Sequence, residues 1–492
     1  MSDPAEKAPK PPAESAERSE KPDKAAPAEL AIETRHVLPD GRPYVATAAT
    51  LHLRGEDGEP QGEVFHVYYA LGEVADPKRP LVFAFNGGPG SASAWLHLGA
   101  WGPMRAELPD PEFPKPPPYA LVSNAETLLP YADLVFVDPI GTGLSRPIGK
   151  GKLEQFTGVK EDLDSMAELV RLFLTRHRRW NSPRLLAGES YGGTRVAGLA
   201  AQLFDRGIAL NGVVLVSPAL DFGHLEFQFG NLVPSVAFLP SYAALAAYHG
   251  LPREGARDLE ALLRDVRAFA LDEYLPALFH GAGLDAARRA RIVERLASFT
   301  GLSPTWIEQQ GLRLVDARVL KELLRSKGLT VGRLDARYVG HEPDLGHSEM
   351  QSDPAHHAAG PAFTTLANEY LRGALGVKDE REYELLSWKV NAQWKWPVPE
   401  KDTSGGFVNV VRDLRRAMLS SPHMHVLFCN GLYDLATPFF GAELAARQLG
   451  SEPGVVRRVH ERTYEAGHMM YFHAGARQRL TQDVAELIRL AT

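Results

Sequence analysis

The sequence predicts an α/β fold built on a central, mostly parallel sheet, and three observations predict it. Short apolar segments recur at 81–85, 134–137, 185–187 and 213–216, and two more follow at 425–428 and 455–459. Continuous apolar runs of this length suit strands buried on both faces. Amphipathic stretches such as 161–177 and 440–448 separate several of them, giving the β-α-β rhythm of a parallel sheet. The rhythm stops near residue 222 and resumes near 405, which marks one large insertion.

The first thirty residues are mostly Pro, Ala, Lys, Glu and Ser. Low hydrophobicity with mixed charge predicts a disordered tail over 1–33. It contains no apolar leader, so a natural start at Met1 implies a cytoplasmic protein, and a leader removed upstream implies a periplasmic or secreted one. Alternating residues over 44–53 and the run 64–71 read as a hairpin. The core of the fold is assigned to 34–222 and 405–492. Residues 223–404 form a mainly helical cap, with helices expected near 242–248, 254–269, 285–298 and 361–375 and no short buried strand. No internal repeat is visible.

Bulk properties exclude several classes. The 492-residue chain is 44% hydrophobic and 23% charged, with a net charge of -7, so nothing favours nucleic-acid binding. Cys429 is the single cysteine, which rules out an intramolecular disulfide. No run approaches the ~18 apolar residues of a membrane span. The oligomeric state stays open, a homodimer included.

The chemistry starts at Gly188-Glu189-Ser190-Tyr191-Gly192, placed between an apolar strand and a small-residue helix. A serine at such a strand-to-helix turn sits in strained backbone, with small residues two before and two after letting the turn close. The motif alone occurs by chance, so the rest of the machinery decides. In this arrangement an acid and then a histidine follow the serine in chain order. Asp434 follows the strand at 425–428, and His468 follows the strand placed near 459. Each falls after the carboxyl end of a strand, where open α/β sheets place their sites. Asp434 alone reads as a helix cap and His468 alone as a surface histidine; with Ser190 they read as a triad. The oxyanion formed during acyl transfer needs backbone N–H donors. Tyr191, the residue after the serine, supplies one, and the loop Asn86-Gly87-Gly88-Pro89-Gly90 is placed to supply another. A phosphate cradle is the weaker reading of that loop, because no Lys-Ser/Thr follows and Pro89 removes a donor.

Five segments together resemble the serine carboxypeptidases, peptidase family S10: residues 86–93 (NGGPGSAS), 136–145 (FVDPIGTGLS), 188–193 (GESYGG), 430–434 and 467–469. The insertion motifs at 238–242 (FLPSY) and 332–337 (GRLDAR) resemble the bacterial branch. The resemblance implies an α/β-hydrolase fold and a cofactor-free, metal-free peptidase acting on peptide substrates through an acyl-enzyme. It implies Ser190 as nucleophile, His468 as base then acid, and Asp434 as its orienting group. It implies Gly88 and Tyr191 as the oxyanion hole, and Asn86, Gly87 and Glu189 as the site for the substrate's C-terminal carboxylate. A carboxyl group binds a carboxylate only by sharing a proton with it, which favours acidic pH.

Two positions depart from the family. Ala100 stands where well-known eukaryotic members have a glutamate that shares a proton with Glu189, and Ser91 stands where a cysteine is common. Ala100 motivates an alternative with the same triad, an esterase, amidase or acyltransferase; a non-catalytic binding protein is the reading from another class. The cluster His341, Glu342, Asp344, His347, His356 and His357 matches no zinc spacing and reads as a solvated loop. Trp388, Trp394 and Trp396 are expected in the core of the insertion, with lining of the pocket as the alternative, and Arg195 on a helix surface or in a buried pair.

Overall fold

The computed structural model describes residues 26–251, 258–396 and 406–492. Residues 1–25, most of the expected tail, lie outside them. Nine strands run through the main sheet: β1 (Ala31–Val37), β2 (Pro43–Arg54), β3 (Pro60–Leu71), β4 (Leu81–Phe85), β5 (Asp133–Val137), β6 (Arg184–Glu189), β7 (Gly212–Val216), β8 (His425–Gly431) and β9 (Val459–Tyr464). Their spatial order is β1-β2-β3-β5-β4-β6-β7-β8-β9, and a short tenth strand, Arg146–Pro147, pairs with β3. The first three strands are antiparallel, as is the β3–β5 pair. From β5 to β9 every pairing is parallel. This is the α/β-hydrolase sheet.

The apolar runs are the parallel strands, and β4, β5 and β7 are buried at every residue. Helices α1 (Val159–Arg176) and α2 (Tyr191–Asp205) cover one face together with Val411–Ser420. The helices Ala474–Ala491 and Pro354–Glu369 and the π-helical turn Leu96–Trp101 cover the other. Helix α3 (Val233–Tyr248) is apolar all round and buried over most of its length, so it forms the centre of a third core, against which residues 432–440 also pack.

Three expectations need correction. The strand expected at 455–459 is a helical turn, Pro453–Val456, and β9 follows it at Val459–Tyr464. Proline's fixed φ suits the first turn of a helix, and β9 is an edge strand, half-exposed and rich in polar residues, so it shows no apolar run. β1 begins inside the stretch expected to be tail. Its residues alternate between exposed and half-buried positions, a weak signal beside Pro-rich sequence. The insertion also holds a ribbon, Thr330–Val331 with Val339–Gly340, too short to leave a periodic pattern. No described helix is long and apolar enough to cross a membrane.

Candidate active site

The strand β6 ends at Glu189 and α2 begins at Tyr191, so Ser190 alone makes the turn, with φ 60° and ψ -127°. An L-residue holds positive φ only where its surroundings enforce it. Here the Ser190 N–H donates to the Val216 carbonyl at 3.0 Å, and its own carbonyl accepts from Gly193 and Ala219 at 2.8 and 3.1 Å. The flanking glycines are required sterically. A Cβ at Gly188 would collide with the Gly192 carbonyl, and one at Gly192 would lie 2.6 Å from the Phe85 carbonyl.

Asp434 and His468 come from the loops after β8 and β9. His468 Nδ1 is 2.7 Å from Asp434 Oδ2. The other carboxylate oxygen accepts the N–H groups of Ala436 and Thr437 at 2.8 and 2.9 Å. The Thr437 hydroxyl donates to Asp434 Oδ2 at 2.8 Å and also lies 3.2 Å from His468 Nδ1. The His468 carbonyl accepts the Ser217 hydroxyl at 2.8 Å. Burial pulls the His468 pKa down, but the charge of Asp434 and its hydrogen bond, with help from Glu189, outweigh burial and hold it above the usual histidine value. With Nδ1 committed to Asp434, Nε2 is the nitrogen available for proton transfer.

The glycine loop lies directly against the elbow. A Cβ at Gly87 would lie 2.5 Å from the Tyr191 nitrogen, and Gly88 has φ 102°. Gly88 and Tyr191 both line the cavity that contains Ser190. Neither spends its N–H on a described backbone partner.

Beside this loop, Asn86 donates to Glu189 Oε1 at 2.8 Å and accepts the Leu96 N–H at 3.0 Å. Glu189 Oε2 is buried with no partner among the described residues. Burial pushes the Glu189 carboxyl up to about 7, against the opposing effect of His468. The hydroxyl of Tyr471, also buried, approaches the same carboxyl without completing a hydrogen bond of good geometry. Its ring fills the space beside Gly99, where a Cβ would lie 2.5 Å from it. Ala100 is fully buried in the adjoining turn and brings no acid to Glu189.

These groups open onto one cavity of about 830 Å³. The core supplies Asn86, Glu189, Ser190 and His468, and the insertion supplies much of the opposite wall, including Phe238, Asp316, Arg333 and His356. Arg333 lies 3.9 Å from Asp316. Trp388 and Trp396 line this cavity and are 67% and 41% exposed, contrary to their expected place in the core; only Trp394 is buried, edge-on to Tyr191 at 5.2 Å. Trp388 opens the short helix Trp388–Ala392 and Trp396 follows it, edge-on to Tyr191 at 5.9 Å, a placement that the spacing of tryptophans alone does not encode. The six-residue acid and histidine cluster disperses: Glu342 pairs with Lys321, while His356 and His357 face the cavity. Among the described residues no group of three or more such side chains is placed to hold a metal.

Sequence reasoning missed several supporting residues. Thr437, three after Asp434, carries the signature of a side-chain-capped turn, which was available in the sequence. Ser217, Tyr471 and Asp162 had no local signal. Arg195 is buried, paired with Asp162 at 2.8 Å, and donates to the Asn86 carbonyl at 2.6 Å, so the buried-pair reading of it holds.

Fold and site together define an α/β hydrolase built around a serine elbow. A family profile for serine carboxypeptidase (peptidase S10) matches residues 57–224. Serine carboxypeptidase-like 20 of Arabidopsis thaliana is 24% identical over 417 residues, covering 79% of this chain and 76% of the relative. The human retinoid-inducible serine carboxypeptidase is 32% identical over 143 residues, covering 28% of each chain. The solved structure of Kex1(delta)p, a prohormone-processing carboxypeptidase from Saccharomyces cerevisiae, superposes with a TM-score of 0.55 at 16% identity, covering 90% of this chain and 91% of that one. The chain is thus similar to the serine carboxypeptidases, and these likenesses support a serine-type hydrolase.

Proposed function

We propose that Ser190, His468 and Asp434 form the catalytic triad of a carboxypeptidase that cleaves the last peptide bond of its substrate. Ser190 Oγ bonds to the scissile carbonyl carbon while its proton passes to His468 Nε2. The oxyanion takes hydrogen bonds from the Gly88 and Tyr191 N–H groups. Collapse breaks the C–N bond, and the departing C-terminal residue receives the proton from His468. Water then repeats the sequence, releasing the shortened peptide and restoring Ser190. Asp434, fixed by Ala436 and Thr437, holds His468 in the required tautomer.

The observation that carries this reading is Glu189, a buried carboxyl next to the nucleophile, raised toward neutral pH and with Oε2 lacking a partner among the described residues. Protonated, it donates to a substrate carboxylate that Asn86 and the Gly87 backbone also face. Nothing in simple ester hydrolysis needs such a group. Ala100 favours a second reading, an esterase, amidase or acyltransferase, because Glu189 lacks a second acid. A pair of blocked dipeptides, one with a free and one with an amidated C-terminus, separates the two. Strong preference for the free acid is expected, and indifference to the C-terminus would favour the second reading. Ser190→Ala should lose about 10⁴-fold or more in kcat on either substrate; a Ser190→Ala enzyme that keeps most of its activity would sink both.

The same reading takes 34–222 with 405–492 as the catalytic core, 223–404 as the cap, and peptides as partners. It assigns no nucleic acid or membrane partner, and a homodimer is untouched by it. Placement in the bacterial branch rests on the motifs at 238–242 and 332–337 alone. The plant, human and yeast relatives do not support it.

A further inference from the structure

The segment 333–337 belongs to the insertion, yet it bonds to both loops that carry the acid and the histidine. The Leu435 N–H donates to the Arg333 carbonyl at 3.0 Å, and the Ala336 N–H donates to the Tyr433 carbonyl at 2.9 Å, so the segment brackets Asp434. The His468 N–H donates to the Leu334 carbonyl at 2.6 Å. The Gly467 N–H donates to Asp335 Oδ2 at 3.2 Å. A Cβ at Gly467 would overlap the Asp335 side chain, so the two backbones touch with no room between them.

Asp335 is in turn immobilised. Its carboxylate accepts the Arg337 backbone N–H at 3.0 Å and is held by the Arg337 guanidinium, with Nη2 2.6 Å from Oδ2. Arg337 reaches past it to Asp110, with Nη2 2.7 Å from Oδ1. Asp335 and Arg337 are buried. The base of the segment is tied as well: the Asp353 carboxylate accepts the N–H groups of Arg333 and Leu334 at 3.2 and 3.0 Å. The two catalytic loops grow from β8 and β9, the last two strands at one edge of the sheet. Their bases are joined by the N–H groups of Leu432 and Tyr433, which donate to the Tyr464 and Ala466 carbonyls. Beyond that point the segment 333–337 holds the two backbones in place, alongside the contacts of Thr437 and Ser217.

We propose that residues 333–337 act as a strap that sets the distance between Asp434 and His468, and that Asp335 is a positioning residue for His468. Asp335 touches neither substrate nor the reacting atoms; it acts through the Gly467–His468 backbone. The insertion thereby takes part in the chemistry as well as in walling the cavity. The inference rests on the triad assignment above.

The test compares Asp335→Leu, which removes the acceptor and the charge, with Asp335→Asn, which keeps an acceptor for the Gly467 N–H. Three readouts are used: steady-state kinetics, the rate of Ser190 inactivation by an organophosphate, and the downfield proton resonance of the hydrogen bond between His468 Nδ1 and Asp434. A displacement of about 1 Å at such a site costs on the order of 10²-fold. For Asp335→Leu the expectation is therefore a fall of about 10- to 100-fold in kcat with KM changed by less than about twofold. Inactivation should slow in parallel and the resonance should shift or broaden, while Asp335→Asn recovers part of each loss. An Asp335→Leu enzyme with unchanged kcat and labelling rate overturns the proposal, as does a rise in KM alone. Should that variant fail to fold, Asp335→Asn and Asp110→Asn carry the test: a several-fold loss of kcat in both supports the strap, and unchanged kcat in both overturns it. Wild-type protein that the organophosphate does not label would overturn the triad assignment; rapid labelling of wild type and variant alike overturns the strap only.

Discussion

At the scale of single residues, Glu189 makes the sharpest prediction because its protonation is tied to substrate binding. Its carboxyl is raised to about 7 by burial, so the protonated form proposed to grip a carboxylate is full at acidic pH and drains away through neutrality. KM for a free-acid peptide should climb as pH passes about 7, while an amidated or ester substrate shows no such rise. His468 imposes the opposite limb. Asp434 raises its pKa despite burial, and as the proposed base His468 must be neutral, so kcat should fall as the solution becomes acidic. Stability follows the same sign for Glu189: a folded pKa above the unfolded one gives stability that is full below about 4.5 and declines as pH rises through about 7. Glu189→Gln should therefore melt higher than wild type at pH 8, by on the order of 3 kcal/mol of stability, and show no gain at pH 4; thermal denaturation at the two pH values decides it. The elbow, Asp434 and His468 were legible because chain order and position after strands survive in one dimension. Tyr471 and Ser217 were not, because each acts across the sheet on a partner far away in sequence.

At the scale of elements, the parallel strands were legible wherever both faces are buried, since β4, β7 and β5 after its first residue leave no polar position to interrupt the run. The edges were not: β1 and β9 have one neighbour each and polar, half-exposed residues, so their sequences resemble loops. The glycine loop after β4 makes a prediction at this scale. Gly87→Ala would press a methyl group against the Tyr191 nitrogen, displacing one wall of the proposed oxyanion hole. Loss of an oxyanion donor costs about 10²- to 10³-fold in kcat, and a normal circular-dichroism spectrum should accompany the loss. The start of β5 makes another. Asp133 is buried between Arg79 at 2.9 Å and Arg179 at 2.7 Å, and Arg179 also donates to the Tyr68 hydroxyl at 2.6 Å. Asp133→Ala leaves the Arg179 charge buried without its counter-ion and should destabilise the fold by about 3–5 kcal/mol in denaturant unfolding.

At the scale of the whole molecule, the insertion was legible as an interruption of the β-α-β rhythm and as a wall of the pocket, while the particular residues it contributes were not. Trp388 shows the difference. It stands well exposed on the cavity wall, so Trp388→Ala should leave the melting temperature unchanged within a degree or two, because surface changes are within about 0.5 kcal/mol. The same variant should raise KM for peptides with bulky side chains; a KM equal to wild type would remove Trp388 from the binding surface. Chain order also has a consequence for how the enzyme comes into being. The groups proposed to bind a peptide end and to stabilise the oxyanion all lie before residue 192, whereas Asp434 and His468 lie in the last sixty residues. During synthesis the first part of the chain emerges with its serine already in place but no base to activate it. If Asp434 and His468 act as proposed, a nascent chain of this enzyme should be inert toward its neighbours until its final two strands have been added to the sheet.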